Sequence, residues 1–141
     1  MNIVEIIKEE IIKRSNLFEE QTKNTKAMFN MYNEHIKYVH KYVKELSKDK
    51  MVDKEVLELS ALMHDISMTD INLDRSIHNE LSAEISEELL LKYNYPQEKI
   101  NLVKNIILNH SSKRKDYRTT LEEQILVDAD ALSHFDGLKS I

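Results

Sequence analysis

A chain of 141 residues is long enough for one domain with one hydrophobic core and too short for two comfortable ones. It holds one glycine and one proline, where average usage would supply about ten and seven, so the tight turns of a β-fold are disfavoured and an all-α bundle joined by polar loops remains. Lack of cysteine excludes disulfides and thiolate metal sites, and a net charge of −5 argues against a broad surface for duplex nucleic acid.

Residues 2 to 14 are expected to form the first helix. Ile3, Ile6, Ile7, Ile11 and Ile12 alternate with Glu5, Lys8, Glu9 and Glu10, an amphipathic pattern rather than a signal peptide or membrane span. A longer helical region follows from Phe18 to Ser47, broken near Thr22 to Thr25, with Met28, Met31, Ile36, Val39 and Val43 as its core stripe. Asp53 is the expected N-cap of a third helix that carries Val56, Leu57, Leu59, Ala61, Leu62 and Met63 and stops near Asp65. The polar stretch Thr69 to Ile77 reads as a loop. A fourth helix begins around His78 to Ser82, holds Leu81, Ile85, Leu89 and Leu90, and ends at Asn94.

Pro96 suits the first turn of a fifth helix whose buried face is Ile100, Val103, Ile106 and Ile107. Lys113, Arg114, Lys115 and Arg118 make a basic loop. Thr120 and Glu123, at capping-box spacing, then open a sixth helix with Leu121, Ile125, Leu126, Val127, Ala129 and Leu132. No repeat or Pro/Gly-rich linker divides the sequence, so residues 1–141 are expected to be a single compact bundle of about five to six helices.

The histidines and aspartates carry the chemical signal. His35 stands four residues after Met31 and four before Val39, on an apolar stripe. His40 is five positions further on, about 140° around a helix, and cannot aim at the same point. One of the two is therefore structural or at the surface, and His35 is taken as the ligand. His64 and Asp65 follow the most apolar helix, and at a helix terminus two adjacent side chains can converge on one small object. A metal ion is such an object, and a buried hydrogen-bonded pair is the alternative. His110 continues the buried face of the fifth helix to its edge. Asp130 lies mid-helix on an apolar side, where a lone carboxylate is unfavourable unless a cation is near.

Together, His35 in His35-Ile36-Lys37-Tyr38-Val39, the doublet His64-Asp65 after Leu62-Met63, and Asp130 in Asp128-Ala129-Asp130-Ala131-Leu132 resemble the HD-domain metal-dependent phosphohydrolases. The likeness runs from about Asn33 to Gly137 and takes in His78 and His110. It implies an HD-type helical fold in which His35, His64, Asp65 and Asp130 bind a principal metal. His78 and His110 join Asp65 at a second ion, or touch substrate phosphate where only one metal is held. Many members have glycine where this chain has Ser67, a change that removes no ligand. Members usually continue for one or two helices beyond the one bearing the distant aspartate, whereas this sequence stops at Ile141. Either the domain is minimal and lacks the C-terminal helices of longer relatives, or a partner subunit such as that of a homodimer supplies the cover, or the reading frame is shortened.

A divalent ion held by imidazole and carboxylate lowers the pKa of bound water from about 15.7 towards 7 and neutralises phosphoryl charge. The expected function is hydrolysis of a phosphomonoester or phosphodiester of a nucleotide or other small molecule. Asp65 holds the metal, and Asp128 is a candidate for orienting water or a ligand histidine, with a helix-surface carboxylate as the equal alternative. Lys113, Arg114, Lys115 and Arg118 either hold substrate phosphate or form a solvated loop, with Arg75 a fainter candidate of the same kind. One or two ions of Mn, Fe, Zn, Ni, Co or Mg suit such a sulfur-free site. The competing readings are a non-catalytic HD module that binds a nucleotide or protein partner around a structural metal, and a plain bundle with incidental histidines. A cytoplasmic location without membrane attachment is expected.

Overall fold

Apolar residues at helical spacing and the scarcity of helix breakers give six α-helices and no strand among the described residues, which are 1–110 and 120–139 of this computed structural model. They are α1 (Ile3–Gln21), α2 (Lys37–Ser47), α3 (Lys54–Met63), α4 (His78–Lys92), α5 (Gln97–Asn109) and α6 (Leu121–Lys139). A π-helical turn, Tyr32–Ile36, leads into α2, and two 3-10 turns, Ile66–Thr69 and Arg75–Ile77, join α3 to α4. The all-α expectation holds.

Two boundaries differ from the sequence reading. The first helix does not stop at Arg14 but runs on to Gln21, because Ile7, Ile11, Ser15 and Phe18 continue one buried stripe. Ser15 is a weak helix former, yet its buried hydroxyl accepts the Tyr32 N–H at 3.1 Å and ties the π turn to α1. The chain then turns at Asn24, which takes the left-handed φ of 66° that asparagine tolerates, close to the expected break. Met28 consequently falls in the connection rather than on a helix face and is 51% exposed, not core.

Other local signals act as anticipated. Asp53 caps α3 by accepting the Val56 N–H at 3.0 Å. The polar stretch after α3 closes through Asx turns: Asp70 accepts from the Asn72 N–H and Asp74 from the Ser76 N–H. Helix α4 ends in a Schellman motif around Asn94 (φ 59°), with Tyr95 N–H bonded to Leu90 O and Asn94 N–H to Leu91 O. Pro96 sits at the N-cap of α5, one position before the first turn. Thr120 Oγ1 accepts the Glu123 N–H at 3.2 Å and starts α6.

Helix α3 is the centre of the fold. Seven of its ten residues, Val56, Leu57, Leu59, Ser60, Ala61, Leu62 and Met63, are buried, and each of the other five helices packs against it. A helix buried on all sides must be apolar on all sides, and its one polar core residue, Ser60, bonds back to Val56 O at 2.8 Å. Its C-terminal end therefore opens in the middle of the bundle. α6 packs against α2 and also touches α3, and the C-cap residue of α5, His110, lies beside His64.

Candidate metal centre

The π turn, the end of α3, the start of α4, the end of α5 and α6 each contribute one or two side chains to a single point. α3 ends with His64 in helical geometry (φ −60°, ψ −25°), and Asp65 leaves it at φ −117°, ψ 20°. That break in the backbone turns two neighbouring side chains towards each other, with His64 Nε2 3.1 Å from Asp65 Oδ2. The π turn at the start of α2 carries His35, whose Nε2 lies 3.4 Å from Asp65 Oδ2 and 3.1 Å from Asp130 Oδ1 of α6. A π turn re-aims a side chain relative to the α-helix that follows it, and such turns concentrate at functional sites. His110 caps α5 and sets its ring 4.9 Å from that of His64. His78, the first residue of α4, is outermost, with its Nε2 3.9 Å from Asp65 Oδ1.

The ring nitrogens that face away from this point are all engaged. His64 Nδ1 stands 2.8 Å from Ala61 O, His110 Nδ1 2.6 Å from Ile107 O, and His78 Nδ1 3.2 Å from Arg75 O. A carbonyl can only accept, so each Nδ1 carries the proton. His35 is fixed less directly. Ser133 Oγ donates its one proton to Asp130 O at 2.6 Å, so it must accept from His35 Nδ1 at 3.2 Å. All four imidazoles thus present Nε2 inward, the arrangement by which outer hydrogen bonds set metal-ligand tautomers.

Two inner atoms, His64 Nε2 and Asp130 Oδ1, are buried without a hydrogen-bond partner although opposing atoms stand close. Proximity without alignment is unfavourable for hydrogen bonds and suits a shared cation between the groups. Among the described residues, His35, His64 and Asp130 form one set whose ligand atoms lie within 4.8 Å of one another, and His64, Asp65 and His110 form a second. Both sets are nitrogen and oxygen only, which fits a divalent transition ion or magnesium. Asp65 turns Oδ2 to His35 and His64 and Oδ1 to His78, as a carboxylate shared between two ion positions would.

The charges of the cluster are strongly coupled. Burial opposes the imidazolium of His64, but the Asp65 and Asp130 carboxylates overcome it and hold His64 well above the ordinary histidine range. His35 is likewise raised against burial by Asp130 and Asp65. Burial would raise both carboxyls, yet His64 and His35 hold Asp65 and Asp130 far below the usual carboxylate range. His110 is lowered by burial and then by the neighbouring His64. Two carboxylates thus draw positive charge into the site.

Not every expected residue joins the cluster. Asp128 lies on the exposed face of α6, two residues and about 200° from Asp130, and accepts from Gln124 Nε2 at 2.9 Å. The role foreseen for it, orienting water or a ligand histidine, is therefore corrected to that of a surface carboxylate. Arg75 packs its guanidinium 5.9 Å from the Phe18 ring rather than against the carboxylates. Lys113, Arg114, Lys115 and Arg118 lie outside the described residues. His40 is paired with Glu58 at 2.7 Å on the far side of α2, away from the point that His35 faces. Two residues were missed: Ser133, described above, and His134, whose ring stacks on His35 at 5.6 Å. His134 follows Asp130 by four positions, a same-face spacing readable in the sequence, whereas nothing local marks Ser133.

A family model described as HD domain matches residues 32–134. The chain belongs to the HD-domain phosphohydrolase superfamily. The HD match begins at the π turn and ends within α6, so it spans every residue of the cluster from His35 to His134. A protein of Clostridium beijerinckii (strain ATCC 51743 / NCIMB 8052), described as uncharacterized, is 33% identical over 82 residues, which are 57% of this chain and 49% of that one. The chain thus spans about half the length of the curated relative it matches. No solved structure matches. Among the described residues no helix is long and apolar enough to cross a membrane.

Proposed function

We propose that this protein is a metal-dependent phosphohydrolase that cleaves a phosphomonoester or phosphodiester of a small molecule. The observation that carries the reading is the convergence of four Nε2 atoms on two partly buried carboxylates, with every Nδ1 proton already held elsewhere. His35, His64, Asp65 and Asp130 would hold one divalent ion, and His110 and His78 would join Asp65 at a second. Such an ion supplies a water of lowered pKa, from about 15.7 towards 7, and offsets charge on the phosphoryl oxygens.

The chain's own residues supply the rest. Ser133, Ala61, Ile107 and Arg75 fix the tautomers and ring orientations of the four histidines through the bonds described above. Asp65 and Asp130 bring two negative charges into a site that would otherwise repel cations through crowded imidazoles. Burial of His64 and His110 excludes bulk water from the inner side, so an attacking water must enter from the face where His78 and His134 are more exposed.

The test is a screen of protein reconstituted separately with Mn, Zn, Fe, Ni, Co and Mg against nucleotides and generic phosphate esters, with Asp65→Ala as the control. Turnover by the parent protein and its loss in the variant support the reading. Equal rates in both expose a contaminant. Stoichiometric metal without any turnover favours the non-catalytic module instead.

A further inference from the structure

Two cavities meet at the cluster. One, of about 410 Å³, is lined by His78, His110 and Asp130, and the other, of about 360 Å³, by Phe18, Phe29, Met31 and Arg75. They share His35, Asp65, Met68 and His134, so the imidazole-lined space and the apolar one adjoin along these side chains. The apolar cavity is small for a ligand site, near the lower end of the roughly 300–1,000 Å³ usual for such pockets. Among the described residues its charged lining apart from the cluster is Glu34 and Arg75. Both are committed locally: Glu34 Oε2 accepts the Asn30 N–H at 3.0 Å, and the Arg75 guanidinium lies 5.9 Å from the Phe18 ring.

Building on the phosphohydrolase reading, we propose that the substrate is a phosphate ester whose alcohol part carries one compact planar aromatic ring, seated among Phe18, Phe29, Met31 and Met68 while its phosphoryl group occupies the adjoining imidazole-lined cavity. Apolar and thioether walls favour a ring, through removal of apolar surface from water and through sulfur and edge contacts with its π system. A sugar or polyol would instead lose hydrogen bonds to water and find few partners there. Because the two spaces adjoin at His35, Asp65, Met68 and His134, a short ester linkage reaches from ring to phosphorus at their junction. Arg75 links the two spaces: its side chain covers Phe18, and its carbonyl holds His78 Nδ1.

The probes are phenylphosphonate and methylphosphonate, which cannot be hydrolysed at the P–C bond. Each is titrated into the zinc-loaded full chain carrying 13C-methyl methionine. Six methionines report, of which Met31 and Met68 line the cavity. Phenylphosphonate is expected to shift these two and to bind at least tenfold more tightly than methylphosphonate. Phe29→Ala, at a side chain 40% exposed, is expected to reduce that preference below threefold. Equal affinity of the two probes, or shifts confined to Met1, Met28, Met51 and Met63, overturns the proposal. The two readings fail separately. Equal kcat/KM for phenyl phosphate and glycerol phosphate overturns the aromatic pocket and leaves the hydrolase intact, whereas selective phenylphosphonate binding without hydrolysis of any ester removes the hydrolase and leaves the pocket.

Discussion

Replacing Ser133 with alanine tests the tautomer argument at its least obvious member. Ser133 is 1% exposed, and its Oγ bridges Asp130 O at 2.6 Å and His35 Nδ1 at 3.2 Å. Without it, the Nδ1–H of His35 loses its acceptor, at a cost of about 1–3 kcal/mol for a buried donor. Above its folded pKa, the neutral metal-free ring limits that cost by moving the proton to Nε2, towards the Asp130 carboxylate. That move preserves stability but removes the inward lone pair. Ser133→Ala should therefore weaken metal binding about 10–100-fold, the range for outer hydrogen-bond partners of ligand histidines, while the metal-free melting temperature changes little. Isothermal titration with zinc or manganese reads the affinity. Ser86→Ala is the matched control, since Ser86 is also buried and bonded to a helix carbonyl, Ser82 O at 2.7 Å, but holds no histidine. A Ser133→Ala affinity within twofold of the parent would refute the assignment of His35's proton.

Stability against pH should change sign with metal. His35 and His64 have raised pKa values, so in metal-free protein they add stability that is complete below the unfolded value of 6.5 and is lost as pH rises through their folded values. His40 and His110 are lowered, titrate below 6.5, and are silent in that window. The melting temperature of chelator-treated protein should thus fall as pH is raised above 6.5, while the rise produced by added metal should grow, because fewer protons compete for the ligands. A metal-free melting temperature that climbs steadily across this interval would contradict the charge assignment. At neutral pH, free metal at about one hundred times its dissociation constant should add about 2.7 kcal/mol, so a chelator should lower the melting temperature by roughly 5–10 °C in a scanning experiment. His40→Ala should leave metal content by elemental analysis unchanged yet lower stability in urea by about 1–2 kcal/mol, because the buried pair with Glu58 is broken. Asp128→Ala should alter neither metal content nor phosphatase rate, since its partner is Gln124 on the helix surface.

Much of this molecule was legible locally. The all-α fold followed from the near absence of glycine and proline, and the ends of α3, α4 and α6 followed from Asp53, Asn94 and Thr120, because caps act through bonds three or four residues away. The spacing of His35 and the His64-Asp65 doublet also singled out the residues that meet. The misread parts depended on distant partners. α1 extends past Arg14 because Ser15 and Phe18 find places against other segments, and Met28 is exposed because the helical path expected to bury it resumes only at the π turn from Tyr32. Asp130 stood out in sequence by its apolar neighbours, but that Asp128 plays no part beside it became visible only once α6 was set against α2, which leaves Asp128 in water.

The amino-acid order alone determined which side chains could bind a cation, since ligand chemistry belongs to the residue and helical period decides which neighbours share a face. Tertiary packing decided whether their ring nitrogens pointed at one place. That direction is set by acceptors such as Ser133, 98 positions from His35 in the chain, and by the crossing of helices whose relative placement no short-range rule contains.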